Sequence, residues 1–288
     1  MPNVSWKQFL KDLYREISDD NVFNGAAALA YYLMLAIFPA AIFLLTLLPY
    51  LPVPNLSEAV MDLLRQAMPG EAANLFAGVV QNVTTQRRGG LLSFGLLFTL
   101  WSASSGLYAI MQQLNITYGV KEGRPFWKAR GTALMLMLLF VLLVVGAFGL
   151  VVGGGMIQNM IASVLGRSQA LLIFFAVFRW VVIVLLLLLG FAVVYYFGPD
   201  VEQRFRFITL GSTIGVILLI VTSLAFRFYV TGFSDYNATY GSLGAVIVLL
   251  LWLYITGLVI LVGSEINALI EHYEPKGKEK GQKRESAD

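Results

Sequence analysis

The chain has 288 residues, of which 58% are hydrophobic and only 13% are charged, and its mean hydropathy is +0.75. Soluble domains carry about a quarter charged residues, so this composition excludes a large soluble core. There is no Cys, which excludes disulfides and thiolate metal sites, and the net charge is only +3.

The first element is a polar segment over residues 1–24, which predicts an amphipathic helix lying on the membrane. It lacks the short apolar core and small-residue cleavage site of a signal peptide. Its apolar residues share one side of the predicted helix: Trp6, Phe9, Leu10, Leu13 and Ile17.

Six continuously apolar runs follow, each long enough to cross the roughly 20-residue hydrocarbon layer as a helix. They lack the alternation of a lipid-facing barrel strand. The sequence therefore predicts an all-α, polytopic membrane protein with a six-helix transmembrane domain over residues 25–271. The runs cover about 25–50, 91–114, 132–152, 170–197, 207–230 and 243–270.

The long loop between the first two runs, about 51–90, predicts two short amphipathic helices. Asn55 with Glu58 resembles a helix start, and Pro69 and Gly70 separate the first helix from the second. These helices either shield the helix ends or form a lid over a cavity. The basic tail, 272–288, is poor in apolar residues and is predicted to be disordered.

Lys and Arg concentrate in the N-terminal segment, in alternate loops and in the tail. Cytoplasmic loops are enriched in these residues, so both termini are predicted to be cytoplasmic. The pI near 9.0 then reflects topology and contact with anionic lipid, and no nucleic-acid partner is expected. The predicted partners are membrane lipids, an anionic lipid as candidate ligand, and a second copy of the chain.

Catalytic groups are scarce. The single histidine, His272, lies beside the tail, which excludes Ser–His pairs and multi-histidine metal sites from the membrane core. Neither a carboxylate cluster nor a phosphate-binding loop is visible in the sequence. We therefore predict no enzyme activity, no catalytic residue, no metal and no cofactor.

Three charged residues lie within the apolar runs, where charge is costly and suggests function. Arg179 and Arg227 are expected at the same outer depth, either as separate interfacial anchors or as a site for an anionic head group. Glu265 forms an ion pair with Arg124 or Arg130, or else carries protons.

Small residues four apart predict close helix packing at Ser102/Gly106, Gly149/Gly153 and Gly211/Gly215. The stretch RFYVTGFSDYNATYGSLGA, residues 227–245, is polar and aromatic between two apolar runs. Tyr236, Asn237 and Tyr240, with Gly241 and Gly244, suit an outer gate or substrate mouth. Aromatic anchoring at the interface explains the tyrosines but not the glycines.

Four ordered motifs resemble the BrkB/YihY family of bacterial inner-membrane proteins: GAAALAYYLMLAIFPAAIFLL, LWSASSGLYAIMQQLNITYGVKEGRPFWKAR, YYFGPD and YNATYGSLGAVIVLLLWLYITGLVILVGSEIN. The resemblance implies six helices with both ends cytoplasmic, and a role as a transporter or in envelope lipid export. The family's ribonuclease label fits poorly here. The motif or gating positions that the resemblance implies are Gly25, Pro39, Trp101, Asn115, Tyr118, Glu122, Arg124, Gly241, Gly244, Glu265 and Asn267.

Two functions follow as expectations. The first is a transporter or flippase-like protein for an amphipathic, anionic envelope molecule such as a lipid or lipid precursor. The second is a non-transporting scaffold for envelope assembly.

Overall fold

The computed structural model describes residues 4–47, 61–62, 92–165, 169–232, 242–274 and 280–283, and all regular secondary structure in these ranges is helical. Most of the predicted outer loop, 51–90, lies outside the described residues. So do four predicted outer residues: Tyr236, Asn237, Tyr240 and Gly241.

Seven helices make up the described fold: α1 (Trp6–Asp19), α2 (Val22–Leu47), α3 (Leu92–Thr117), α4 (Phe126–Leu165), α5 (Gln169–Phe197), α6 (Leu210–Gly232) and α7 (Ser242–Tyr273). Each of the last six overlaps one of the six predicted apolar runs, and α4 extends beyond its run at both ends. Helix α4 begins earlier than predicted because Pro125 starts it, and the Pro125 carbonyl accepts from the backbone N–H of Lys128 and Ala129.

Four described segments are long and apolar enough to cross a membrane: Phe126–Ala147, Ile173–Phe197, Leu210–Val230 and Val246–Tyr273. Val22–Ile37 is a shorter apolar helix. The all-helical membrane architecture is therefore supported, and the count of six spans stays a prediction.

The six long helices form a closed ring in chain order. Each of α2 to α6 packs on the next helix, and α7 packs back on α2 and also contacts α3. Lipid tails are as apolar as the helices, so close packing of side chains must hold such a bundle together. The fully buried large side chains come from four of the helices: Leu29, Met111, Leu114, Leu136 and Leu261.

Close approach at small residues is confirmed at three of the predicted positions. A Cβ on Gly211 would collide with the Gly263 carbonyl, and one on Gly215 would lie 2.8 Å from the Phe191 ring. A Cβ on Gly106 would lie 3.0 Å from Ala36 Cβ. Gly149 departs from the prediction, since no described atom lies within 4 Å of a Cβ built there.

Helix α1 forms as predicted and lies against α7 and α2. Ser5 caps its start by accepting a hydrogen bond from the Gln8 N–H at 3.2 Å. Phe9 is buried against Ile266 and Leu269 of α7. Trp6 and Leu10 remain 68% and 60% exposed, so only part of the predicted apolar side packs on the bundle.

Candidate functional site at the polar end

One end of the bundle collects most of the polar contacts. It comprises α1, the α3–α4 connection (residues 118–125), the α5–α6 connection (198–209) and residues 274 and 280–283. We call this region the polar end. It contains three adjoining features: an arginine clamp, an acidic cluster and a cavity.

Arg124 is the centre of the clamp. Its Nε and Nη2 atoms each donate to one oxygen of the Glu122 carboxylate at 2.7 Å. Nη1 donates to the Phe197 carbonyl at 3.1 Å, and Nη2 also donates to the Gly198 carbonyl at 2.8 Å. Only the planar guanidinium fork can serve a carboxylate and two carbonyls together, so the clamp ties the α3–α4 connection to the end of α5.

Asn115 and Asp200 complete the clamp. The Asn115 amide donates to Glu122 Oε2 at 3.0 Å, and its carbonyl oxygen accepts from the Asp200 N–H at 2.7 Å. Asp200 in turn accepts from the Gly123 N–H at 2.9 Å. Asn115 is only 2% exposed, and its side chain therefore joins α3 to both connections.

The turn that follows Asn115 requires a glycine. Gly119 has φ = +65°, a left-handed conformation that side chains disfavour. The Val120 N–H donates to the Asn115 carbonyl at 2.9 Å, and the Gly119 N–H donates to the Ile116 carbonyl at 2.8 Å. This helix ending turns the chain back so that Glu122 and Arg124 lie beside α3.

Both clamp carboxylates are held ionised. Burial alone would raise the pKa of Glu122, but hydrogen bonds and charge from Arg124 and a bond from Asn115 outweigh it and lower the pKa. Burial opposes ionisation of Asp200 as well. Lys283, the Gly123 N–H and Arg124 together hold the pKa of Asp200 below its ordinary value.

Residues 280–283 of the tail lie against the polar end, in contrast to the predicted disorder of the whole tail. The Lys283 ammonium pairs with Asp200, and the Glu202 N–H donates to the Lys283 carbonyl at 2.8 Å. The Gly281 N–H donates to the Tyr118 carbonyl at 3.0 Å. Low hydrophobicity predicts disorder only where specific polar partners are absent, and here the fold supplies them.

The acidic cluster consists of Glu16, Asp20 and Glu265, whose carboxylate oxygens lie within 4.8 Å of one another. The Lys280 ammonium donates to Glu16 at 2.5 Å and to Asp20 at 3.0 Å. Glu265 is 1% exposed, and its Oε1 has no hydrogen-bond partner among the described residues. The sequence expectation that no carboxylate cluster exists is therefore wrong.

The predicted ion pair of Glu265 with Arg124 or Arg130 is also wrong. Arg124 belongs to the clamp. Arg130 donates to Ser105 Oγ at 3.2 Å, and its guanidinium lies 4.4 Å from the Trp101 ring centroid and 4.9 Å from that of Tyr108. These partners were expected because Glu265 and the basic loop share the predicted cytoplasmic side, but the clamp and the Trp101 and Tyr108 rings engage the two arginines instead.

A cavity of about 240 Å³ opens at the polar end between α5, α6 and α7. Apolar and polar groups both line it, including two arginines of the α5–α6 connection. The lining residues are Tyr118, Ala192, Tyr195, Tyr196, Gln203, Arg204, Arg206, Ile208, Thr209, Leu210, Asn267, Ile270, Glu271 and Glu274. The sequence did not predict this cavity. The one sequence signal for it is the pair of arginines in the short α5–α6 connection.

The other predicted site residues are dispersed. Gly25 is buried where α2 meets Gln113 and Leu261. Asn267 accepts from the Gly211 N–H at 2.9 Å and borders the cavity. Pro39 lies within α2, and Gly244 is buried near the start of α7.

The two predicted outer arginines lie away from the polar end. Arg179 is half-buried on α5, and Arg227 is exposed on α6. A joint role of these two residues stays a prediction.

Comparison of the sequence with known proteins places the chain in a family. The sequence profile described as Virulence factor BrkB matches residues 13–288. The chain belongs to the BrkB family. The putative ribonuclease-like protein YfkH of Bacillus subtilis is 38% identical over 262 residues, which cover 91% of this chain and 94% of YfkH.

More distant relatives carry the name UPF0761 membrane protein. One from Xanthomonas campestris is 26% identical over 94% of this chain, which spans 65% of that relative's length. One from Aliivibrio salmonicida is 26% identical over 92% of this chain and 83% of its own length. No solved structure matches the chain.

Proposed function

We propose that this BrkB-family membrane protein is a transporter or flippase-like protein for an amphipathic, anionic envelope lipid or lipid precursor. The head group enters the polar-end cavity, and the acyl chains stay in the surrounding bilayer. We further propose that the polar end faces the cytoplasm of a bacterial inner membrane, as its Lys and Arg content suggests.

The observation that carries this proposal is that the two cavity arginines, Arg204 and Arg206, have at most one weak protein partner among the described residues. Arg204 makes no hydrogen bond or ion pair with the described residues. Arg206 pairs with Glu274 at 3.3 Å, but these side chains are 61% and 46% exposed. Exposed pairs contribute about 0–1 kcal/mol, so an incoming phosphate can displace Glu274. Arginine suits this role because its fork matches phosphate oxygens.

The size of the cavity favours a head group over a whole ligand. Pockets that enclose drug-sized molecules measure about 300–1,000 Å³, and this cavity, at about 240 Å³, is smaller. Helices α5 and α6, which border it, present large exposed apolar side chains toward the surroundings, among them Val181, Leu185, Ile217, Val221 and Leu224. Acyl chains can lie along these surfaces while the head group lies in the cavity.

Transfer across the bilayer requires head-group contacts at the other end as well. Arg179 and Arg227 lie on two of the helices that border the cavity, α5 and α6, and we assign the outer head-group position to them. The outer stretch with Tyr236, Asn237 and Tyr240 then serves as the gate on that side.

The name of YfkH raises ribonuclease activity as a different possibility. Three carboxylates in one cluster are a feature that metal-dependent nucleases share. Here Glu265 is 1% exposed, and Lys280 is bound to the other two carboxylates. An RNA backbone has no access to such a group, so lipid transport is the function that the geometry supports better.

The test is lipid analysis on the purified protein, followed by transbilayer movement of fluorescent anionic phospholipid in reconstituted vesicles. We expect anionic lipid to be enriched over bulk membrane, and Arg204→Gln with Arg206→Gln to reduce both enrichment and movement several-fold. Lys128→Gln, which changes a basic residue in the first turn of α4 outside the cavity, is the matched control. Enrichment without movement, or neither, would favour the scaffold.

A further inference from the structure

The acidic cluster joins two parts of the chain that are distant in sequence. Glu16 and Asp20 come from the end of α1 and the turn after it, and Glu265 comes from α7. The Glu265 Oε1 atom is buried and unpaired among the described residues. A buried carboxylate oxygen without a donor is costly, so this atom calls for a positively charged or protonated partner.

Lys280 partly supplies that partner. Its ammonium contacts Glu16 and Asp20, whereas no hydrogen bond joins it to Glu265. One positive charge therefore faces three carboxylates.

We propose that Glu16, Asp20 and Glu265 form a binding site for a hard divalent cation such as Mg²⁺, and that the Lys280 ammonium is a tethered competitor for it. All three ligands are oxygens, which Mg²⁺ and Ca²⁺ prefer over nitrogen or sulfur. Metal–oxygen distances of about 2.0–2.6 Å place opposite ligands about 4–5 Å apart. The mutual separations within 4.8 Å match an ion held between these oxygens.

Competition at this site links cation binding to the position of the tail. Lys280 and Lys283 are three residues apart and bind the acidic cluster and the clamp, respectively. A cation that replaces Lys280 removes one of the two ion-pair attachments of residues 280–283. The site thus makes tail docking depend on the divalent cation concentration at the polar end.

The experiment measures Mn²⁺ binding to the purified full-length protein by electron paramagnetic resonance in uncharged detergent. We expect one Mn²⁺ site, with Mg²⁺ competing for it. Lys280→Ala should tighten Mn²⁺ binding at least about tenfold, because a unit charge at contact distance is removed. Glu265→Gln, which keeps the side-chain shape, should weaken binding at least about tenfold. Lys121→Ala is the control and should change nothing.

A second readout follows the tail. Because the chain has no native Cys, Gln282→Cys gives a single label position, and Mg²⁺ should increase its reactivity with maleimide several-fold. If Glu265→Gln fails to fold, Asp20→Asn replaces it in the binding measurement with the same expected loss. Absence of Mn²⁺ binding in both the wild type and Lys280→Ala would overturn the proposal, as would binding that the carboxylate variants leave intact.

Discussion

Arg124 donates two hydrogen bonds of 2.7 Å to the carboxylate of Glu122, two residues before it in the sequence. The same guanidinium holds the carbonyls of Phe197 and Gly198, more than seventy residues away in sequence. The Glu122–Arg124 pair thus links the α3–α4 connection to the start of the α5–α6 connection. Its side chains are only 11% and 14% exposed, so solvent screens it little.

Arg124→Gln should therefore destabilise the protein strongly. It leaves the Glu122 charge nearly buried without its partner, which costs about 3–5 kcal/mol in the free energy of unfolding. Arg124→Lys should recover only part of the loss because an ammonium cannot reproduce the fork. The measurement is equilibrium unfolding in detergent, followed by tryptophan fluorescence.

The matched control for this prediction is Arg206→Gln, which breaks the exposed pair with Glu274. We expect that change to cost about 1 kcal/mol or less. Equal effects of the two substitutions would contradict the structural role of the clamp.

The clamp also predicts how stability depends on acid. The ordinary pKa values of Glu122 and Asp200 are 4.5 and 3.8, and both are lowered in the folded protein. A lowered carboxyl pKa contributes stability that is complete above the unfolded value and is lost as pH falls through the folded value. The free energy of unfolding should therefore fall as pH drops below about 4.5.

Glu122→Gln isolates this contribution. The variant should be less stable than wild type at pH 7, and the difference between the two should shrink as pH falls from about 5 toward 3. Unfolding curves at stepped pH give the measurement. A difference that stays constant over this range would show that ionisation of Glu122 is not what stabilises the clamp.

The packing of α6 on α7 gives a third prediction. Gly211→Ala places a methyl group against the Gly263 carbonyl and the Asn267 side chain, so we expect a loss of about 1–3 kcal/mol from overpacking. Gly131→Ala in α4 is the control, since nothing lies within 4 Å of its Cβ position. That change should be neutral or stabilising by up to about 1 kcal/mol, because alanine favours helix. The same unfolding assay compares them.

The sequence predicted the helices well because the thickness of the hydrocarbon layer sets the length of apolar run that a spanning helix needs. Leu92–Thr117 and Gln169–Phe197 lie within a few residues of the predicted runs. Close packing at Gly211 was predictable because small residues spaced four apart lie on one face of a helix. The same prediction was wrong at Gly149 because this spacing does not reveal which face of the helix meets a neighbour.

The candidate site was much less predictable. Family resemblance named Asn115, Glu122 and Arg124, but the partnership with Asp200 depends on which connections the ring of helices brings together. Glu265 was recognised as unusual, yet its neighbours come from α1, about 250 residues earlier in the sequence. Spacing along the chain carries no information about such contacts.

The fourth prediction concerns the orientation of the protein in the membrane. In this cysteine-free chain, a cysteine at position 121 should be protected from a membrane-impermeant maleimide in intact cells, and one at position 87 should be labelled. The reason is the excess of Lys and Arg at the polar end. Opening the cells should expose position 121 and serves as the control. Labelling of Lys121→Cys in intact cells would reverse the orientation.

The last prediction concerns the outer arginines. Helices α5 and α6 pack on each other, and Arg179 and Arg227 both lie roughly 20 residues from the connection between them, or about 30 Å at helical rise. Two like charges at that depth repel unless an anion lies between them, and a lipid phosphate can supply it. Arg179→Gln and Arg227→Gln should each lower co-purified anionic lipid several-fold, measured by mass spectrometry on the purified protein. Arg15→Gln in α1 is the control and should leave lipid content unchanged. If both outer variants fold and retain the full lipid complement, the two arginines are separate interfacial anchors, and the outer head-group position must lie elsewhere.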